Sequence, residues 1–431
     1  MSRISGRKRG ALVAAAAVVA LLAIAAALWA TSSGVVGTAV GPSTADTVDP
    51  VERGRYLALA ANCAGCHTAR GEAPYAGGRG IETPFGTVYA SNLTSDPETG
   101  LGRWNKDDFW RAMREGRSRD GRLLYPAFPY PNFSGIARED ADALFAYLSS
   151  LPPIRRENRP HALRFPYDRQ VALAAWRALF FRPLDTEPVP DRGEDWNRGA
   201  YLVRVLGHCE ACHAERNLLG ATERTAGLSG GRIPAQGWDA PPLAPHELPG
   251  VPEWTRQDFV DLLRTGLARQ GSAMGPMSEV VAMSTRHLTG PDLQAIAVYL
   301  SSLPRTSISA SKRDMPAGAV DTVTGRRLYG RHCADCHGDS GEGVAGAYPA
   351  LAGNQTLNLP SPDNAIRAVL GGGFLPSSAQ YPKPHGMPPF SPFLSDEEIA
   401  AVLTYTRTAW GNDAPPIQAR SVSAHRGRTN R

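Results

Sequence analysis

Neither end of this 431-residue chain carries an acidic residue. Positions 1–45 and 414–431 contain no Asp or Glu, yet they hold Arg3, Arg7, Lys8, Arg9, Arg420, Arg426, Arg428 and Arg431. The formal charge of +5 therefore belongs to the ends: without those eight residues, 38 basic side chains face 41 acidic ones. A slightly acidic interior excludes a nucleic-acid-binding surface, which needs clustered positive charge to displace counterions. There is no glycine-rich strand-to-helix turn of the kind that cradles a nucleotide, and no plausible Ser/His/Asp triad. No segment alternates apolar and polar residues over strand length, which argues for an all-α fold. The 42% hydrophobic content excludes wholesale disorder, and the length predicts two to four domains.

Long apolar runs are also missing, except one. After the basic start, Ala11 to Ala30 is uncharged over 20 residues, long enough to cross a bilayer core as a helix. It exceeds the apolar stretch of about 7–15 residues usual in a cleaved signal. Residues 1–33 are thus expected to be a retained anchor in the cytoplasmic membrane or a signal helix. In both cases the basic cluster stays cytoplasmic and the bulk is exported, either anchored on the periplasmic side or free in the periplasm. The basic tail 413–431 has few apolar residues and reads as disordered.

Cysteine is scarce, and all six residues fall in one pattern: Cys63-Ala-Gly-Cys66-His67, Cys209-Glu-Ala-Cys212-His213 and Cys333-Ala-Asp-Cys336-His337. An even cysteine count in an exported protein first suggests disulfides, but here a histidine follows every pair. Two sulfurs three residues apart on one helical turn can form thioethers with the two vinyl groups of a haem, and the next histidine then reaches the iron. Structural zinc wants a fourth protein ligand that no cluster offers. A redox dithiol wants a βαβ setting, and the surroundings are Ala-rich and helical. Three covalently bound haem c groups are expected, on Cys63 and Cys66, Cys209 and Cys212, and Cys333 and Cys336. His67, His213 and His337 are the expected proximal iron ligands.

Internal repeats set the domains. Trp104 to Phe109, with Arg114 and Gly116, matches Trp254 to Phe259, with Arg264 and Gly266. Tyr147-Leu-Ser-Ser-Leu-Pro152 recurs as Tyr299-Leu-Ser-Ser-Leu-Pro304, and Arg53 to Leu57 resembles Arg198 to Leu202. Gly325 to Tyr329 is a looser third copy. Three units follow, at 51–152, 196–304 and 320–412. Gly116 and Gly266 mark helix ends. The early glycines 54, 199 and 325 and the late tyrosines 147, 299 and 405 suggest two terminal helices crossing closely. Trp104 and Trp254 read as core or haem-wall residues. The connector 153–195 holds an apolar helix at 172–181, either an interdomain clasp or a partner or membrane contact. The connector 305–319 reads as a plain linker.

An electron-transfer haem normally has a second axial ligand, often a thioether sulfur, and methionine is rare here. In the second unit Met277 is favoured, because Gly275-Pro276-Met277 is stiff, with Met274 next and Met283 more suited to packing. In the third unit Met387 is the expected distal ligand, with His385 as a rival; Met315 precedes its own motif. The first unit has Phe128 in the corresponding window and no methionine, so its haem is expected to be five-coordinate, or held by Met113 or His161. His208 and His332, each just before a first cysteine, read as surface residues.

With these motifs the chain resembles the three-haem cytochrome c subunit of bacterial membrane-bound dehydrogenases acting on alcohols, gluconate, sorbitol and aldehydes. The resemblance runs through Gly77 to Thr94, Leu124 to Tyr130, Gly275 to Val281 and Gly341 to Gly353, across most of 51–412. It implies three tandem cytochrome c domains after the N-terminal helix. It also implies an electron conduit rather than an enzyme. A separate catalytic dehydrogenase subunit, of quinoprotein, flavoprotein or molybdenum type, would oxidise the substrate. Electrons would leave to ubiquinone or another acceptor such as a terminal oxidase. That family commonly has Met where Phe128 stands. The alternative is a peroxidase-like haem enzyme or a ligand sensor using an open position at the first haem.

Overall fold

A computed structural model of the chain describes residues 49–223, 227–233, 235–307, 322–376 and 385–429. The expected anchor at 1–33 and Met315 lie outside the described residues. Among these residues, no helix is long and apolar enough to cross a membrane.

A first helix, a short attachment helix, a middle helix and a last helix follow one another in that order three times. The first unit contains α1 (Pro50–Ala60), α2 (Cys63–His67), α3 (Lys106–Glu115), α4 (Tyr130–Phe133) and α5 (Arg138–Ser150). After the connector helix α6 (Gln170–Phe180), the second contains α7 (Gly193–Tyr201), α8 (Glu210–His213), α9 (Arg256–Thr265), α10 (Pro276–Met283) and α11 (Gly290–Ser301). The third contains α12 (Thr322–His332), α13 (Ala334–His337), α14 (Gln355–Asn358), α15 (Asp363–Gly371) and α16 (Asp396–Thr408), followed by α17 (Ala419–Thr429).

Local chemistry sets the helix bounds. Asp49 accepts the Val51 N–H at 3.0 Å and Pro50 opens α1, a favoured start because proline lacks the donor that would go unpaired there. Both middle helices begin with a reciprocal cap. Asn105 pairs with Asp108 and Thr255 with Asp258, side chain to main chain in each direction. Both end on a left-handed glycine, Gly116 (φ 61°) and Gly266 (φ 81°), as their positions in the repeat suggest.

In each unit the first helix crosses the last at a glycine. A Cβ on Gly54, Gly199 or Gly325 would collide with the carbonyl oxygen of Ala143, Ala295 or Ala401 respectively. The same Cβ would stand 2.7, 2.8 and 2.8 Å from the Cβ of Tyr147, Tyr299 and Tyr405. Glycine is a poor helix former, by about 1 kcal/mol against alanine, so its place inside three helices follows from the close approach of a neighbouring backbone.

The first two units share one apolar core, which includes Leu144, Leu148, Val203, Leu206 and Leu293. The third has its own core, around Ile366, Leu370, Ile399 and Val422.

Three expectations need correction. Short strands are present: Gly80–Thr83, Gly86–Tyr89 and Ala162–Leu163 form a small antiparallel sheet, and two-stranded ribbons occur elsewhere. At two to four residues they are too short for alternation to register in the sequence. The linker is tied at its start, where Thr306–Ser307 pairs with His246–Glu247. The tail is not disordered: α17 packs on the third unit with Val422 fully buried. Arg426 donates to Asp396 at 2.7 Å and to the Leu394 carbonyl at 2.9 Å. A composition that reads as solvated basic residues conceals one buried valine and an arginine matched to the acidic start of α16.

His425 of α17 lies 3.4 Å from Asp363, which also meets Arg232 of the second unit at 2.9 Å. His425 and Arg232, against the opposing effect of burial, hold the Asp363 carboxyl down to about 2. A carboxyl depressed on folding adds stability that is present above its unfolded pKa near 4 and lost as pH falls through the folded value. Amide exchange in 419–429 is expected to quicken between pH ~4 and ~2. Asp363→Asn should remove that pH dependence, and an unchanged profile in the variant would assign the transition to other groups.

Candidate functional site

Each Cys-x-x-Cys-His segment is entered from the end of a unit's first helix. In the first two units the residue before the first cysteine takes the left-handed conformation, Asn62 at φ 50° and His208 at φ 38°. This turn brings both sulfurs and the histidine onto one short helix. The thiols are unbridged, and burial pushes Cys63 and Cys209 up to about 12 and Cys333 to about 11. A redox dithiol needs the opposite, a lowered thiol pKa.

The three histidines share a geometry. The Nδ1–H of His67 meets the Ser91 carbonyl at 2.7 Å, that of His213 the Pro241 carbonyl at 2.7 Å, and that of His337 the Pro349 carbonyl at 2.9 Å. Burial lowers the pKa of all three and keeps them neutral. With Nδ1 committed as donor, Nε2 carries the lone pair, which is the arrangement a metal-bound imidazole uses.

A cavity of about 2010 Å³ opens beside α2, lined among others by Cys63, Cys66, His67, Trp104 and Phe109. Ordinary ligand pockets hold roughly 300–1,000 Å³, so a macrocycle fits. Trp254, the repeat counterpart of Trp104, has a buried Nε1–H with no partner among the described residues. A carboxylate-bearing group such as haem would satisfy it. The residues present fit covalent haem.

The distal sides differ between units. Met277 is the second residue of α10, which starts at Pro276 after Gly275, a residue at φ 53° whose loop is pressed against the Trp238 indole. Met274 instead faces the third unit, its Cε 3.9 Å from where a Cβ on Gly373 would be. Met283 is half-buried at the far end of α10. Met387 sits in the Gly386–Met387 strand paired with Gly373–Phe374, while His385 packs on Tyr348 with ring centres 4.7 Å apart. In the first unit Phe128 lines the cavity together with Met113 and His161. Met113 is 5% exposed and part of the apolar core. His161 accepts the Tyr89 N–H at Nδ1, 3.1 Å away. Its proton therefore resides on Nε2, which has no lone pair for a metal.

Residues 51–152 and 322–410 match the cytochrome c family model. The chain is 37% identical to the cytochrome c subunit of the quinone-type alcohol dehydrogenase of Gluconacetobacter polyoxogenes, over 87% of its own length and 84% of that protein. The chain belongs to the family of dehydrogenase cytochrome c subunits. It is 35% identical to the gluconate 2-dehydrogenase cytochrome c subunit of Pantoea cypripedii, with 87% and 89% covered. It is also 41% identical to a nicotinate dehydrogenase subunit of Pseudomonas putida, over 88% of its length. It spans only 32% of that longer protein.

Two features of this cytochrome c subunit escaped the sequence reading. Tyr56 of the first unit donates to Asp292 of the second at 2.5 Å, and Tyr201 of the second donates to Asp140 of the first at 2.6 Å. Each aspartate is also held by an arginine of its own unit, Asp140 by Arg53 at 2.5 Å and Asp292 by Arg198 at 2.8 Å. The repeated Arg-Gly-x-Tyr was visible, and its third copy has Arg327 in place of the tyrosine. Nothing local pointed to partners in another unit. The second feature is Arg79, which donates to the Gly65 carbonyl in α2 and forms a bidentate pair with Glu279 on α10, two residues beyond Met277.

His208 also departs from expectation. It is half-buried, with its ring edge-on to Phe133 at 5.5 Å and Nε2 3.4 Å from the Ala61 carbonyl, because the attachment turn of one unit docks on the other. His332 is exposed, as expected.

Proposed function

We propose that this chain is an electron carrier with three covalent haem c groups, one in each of three cytochrome c domains. It would take electrons from a catalytic dehydrogenase subunit and deliver them to ubiquinone or another respiratory acceptor at the periplasmic face of the cytoplasmic membrane. The observation that carries this reading is the threefold recurrence of a Cys-x-x-Cys-His whose histidine Nδ1 is tied to a main-chain carbonyl. Bound haem c supplies a one-electron iron couple whose potential depends on axial ligand and burial. The chain's own residues would hold it there: the six cysteines by thioethers, His67, His213 and His337 from the proximal side, and Met277 and Met387 from the distal side. Catalysis is assigned to the partner, as the names of the relatives suggest. The test is the mass and pyridine haemochrome of the periplasmically matured protein, followed by substrate-driven haem reduction after co-purification from membranes. A product bearing fewer than three macrocycles would overturn the count.

One observation favours a second role at the first site. Phe128 stands where the other units offer methionine, and neither Met113 nor His161 is set up to replace it, so an external ligand would meet an open position.

The Arg79–Glu279 pair joins the first attachment helix to the helix of the second distal methionine. Glu279→Gln leaves the guanidinium uncompensated next to Gly65 and Cys66. Since nearby positive charge favours the electron-rich form, the reduction potential of the first haem is expected to rise. Potentiometric titration of the haem bands measures it, and unchanged potentials would show the pair to be purely structural.

A further inference from the structure

Connector helix α6 is poorly covered. Only Leu173 of its residues is buried, while Val171 and Leu179 are 82% and 64% exposed. Two neighbouring turns add Phe165 at 78% and Leu218 at 98%. These segments form one patch. Trp176 of α6 donates to the Leu219 carbonyl at 2.9 Å. Gly220 abuts Phe85, and Phe85 packs on Tyr167 with ring centres 4.5 Å apart. Monomeric soluble surfaces rarely keep so much contiguous apolar area uncovered.

Charge selects the occupant. Residues 159–182 carry five arginines against Asp168 alone, whereas the rest of 46–413 has 33 basic residues against 40 acidic ones. A cationic island with Phe, Trp, Leu and Val on an otherwise acidic protein has the make-up of an interfacial element on anionic lipid. Arg164 and Arg182 reach main-chain carbonyls, and Arg177 lies over the Tyr130 and Phe181 rings. Their aliphatic stems thus add apolar cover while the charges stay near the surface.

We propose that the face formed by α6, the Phe165–Tyr167 turn and the Leu218–Leu219 turn docks on an anionic bilayer surface, separately from any N-terminal anchor. Tyr167, Trp176, Leu179 and Leu219 also line the cavity that holds Cys63, Cys66 and His67, so docking turns the mouth of the first haem site toward the lipid. The inference rests on the membrane-face reading above and gives it an orientation.

The test uses the full-length holoprotein reconstituted in vesicles of phosphatidylcholine alone or with phosphatidylglycerol, read by amide hydrogen exchange. Residues 165–182 and 217–220 are expected to be protected in the anionic vesicles and not in the neutral ones, with protection fading at high salt. Val171→Asp with Phe165→Asp, at positions 82% and 78% exposed and outside the cavity lining, should abolish that protection without changing the haem spectrum. Vesicle association with equal exchange at 165–182 in both lipids would overturn the docking face alone. Failure to associate with either vesicle would overturn the membrane-face reading as well. Protection that appears only on adding the dehydrogenase partner would make the patch a protein interface and overturn the lipid assignment.

Discussion

Phe128→Met is expected to convert the first haem from a ligand-accessible to a closed site. In the wild-type protein, cyanide or carbon monoxide should perturb the absorption of one haem and leave the other two unchanged. In the variant that response should disappear, and a third methionine–iron charge-transfer contribution should appear in the oxidised spectrum. The argument is geometric. Phe128 lies in the loop between α3 and α4, its N–H bonded to the Tyr125 carbonyl at 3.0 Å and its ring against Phe133 with centres 5.6 Å apart. A methionine is unbranched and fills irregular gaps readily, so the exchange costs little packing and places a sulfur where the other units have one. A thioether ligand also raises the potential, so the variant's first haem should be easier to reduce. A wild-type protein that is fully low-spin and inert to both ligands would defeat this assignment, and Met113→Leu would then show whether Met113 fills the position.

Gly199→Ala is expected to destabilise the protein by about 3 kcal/mol or more, at the upper end of overpacking effects. The added methyl meets the Ala295 carbonyl oxygen and the Tyr299 Cβ, both fixed by α11, so neither can yield without separating the helices. Gly54→Ala should behave alike against Ala143 and Tyr147. Gly330 provides the control. It lies in α12 with nothing within 4 Å of a Cβ built on it, so Gly330→Ala should stabilise by about 1 kcal/mol through helix propensity. Denaturant unfolding of the holoprotein measures all three. Equal effects at positions 199 and 330 would refute the close-crossing explanation.

Much of this architecture was legible because its determinants are local. The Cys-x-x-Cys-His spacing, the glycine stops at 116 and 266 and the early-glycine, late-tyrosine pairing each lie within one repeat. What the sequence concealed depends on distant partners. Tyr56 and Asp292 are 236 positions apart, and their meeting requires two whole units to be oriented first. The tail was misjudged for the same reason, since the Arg426–Asp396 pair and the Val422 pocket exist only once α16 is in place. Arg407 makes the point differently. It is fully buried, and donates to the carbonyls of Leu357, Leu359 and Pro415 at 2.7, 3.0 and 3.0 Å. Composition would put such a side chain on the surface.

The crossed tyrosines also decide where the gene can be cut. A fragment ending near residue 152 would lose Tyr201 as the partner of Asp140 and lay bare the apolar surface that the two units share. The smallest self-sufficient piece therefore runs from about residue 49 to 307, a two-motif protein. Cutting the third unit away breaks contacts such as Arg232 with Asp363 and Asp239 with Asn364.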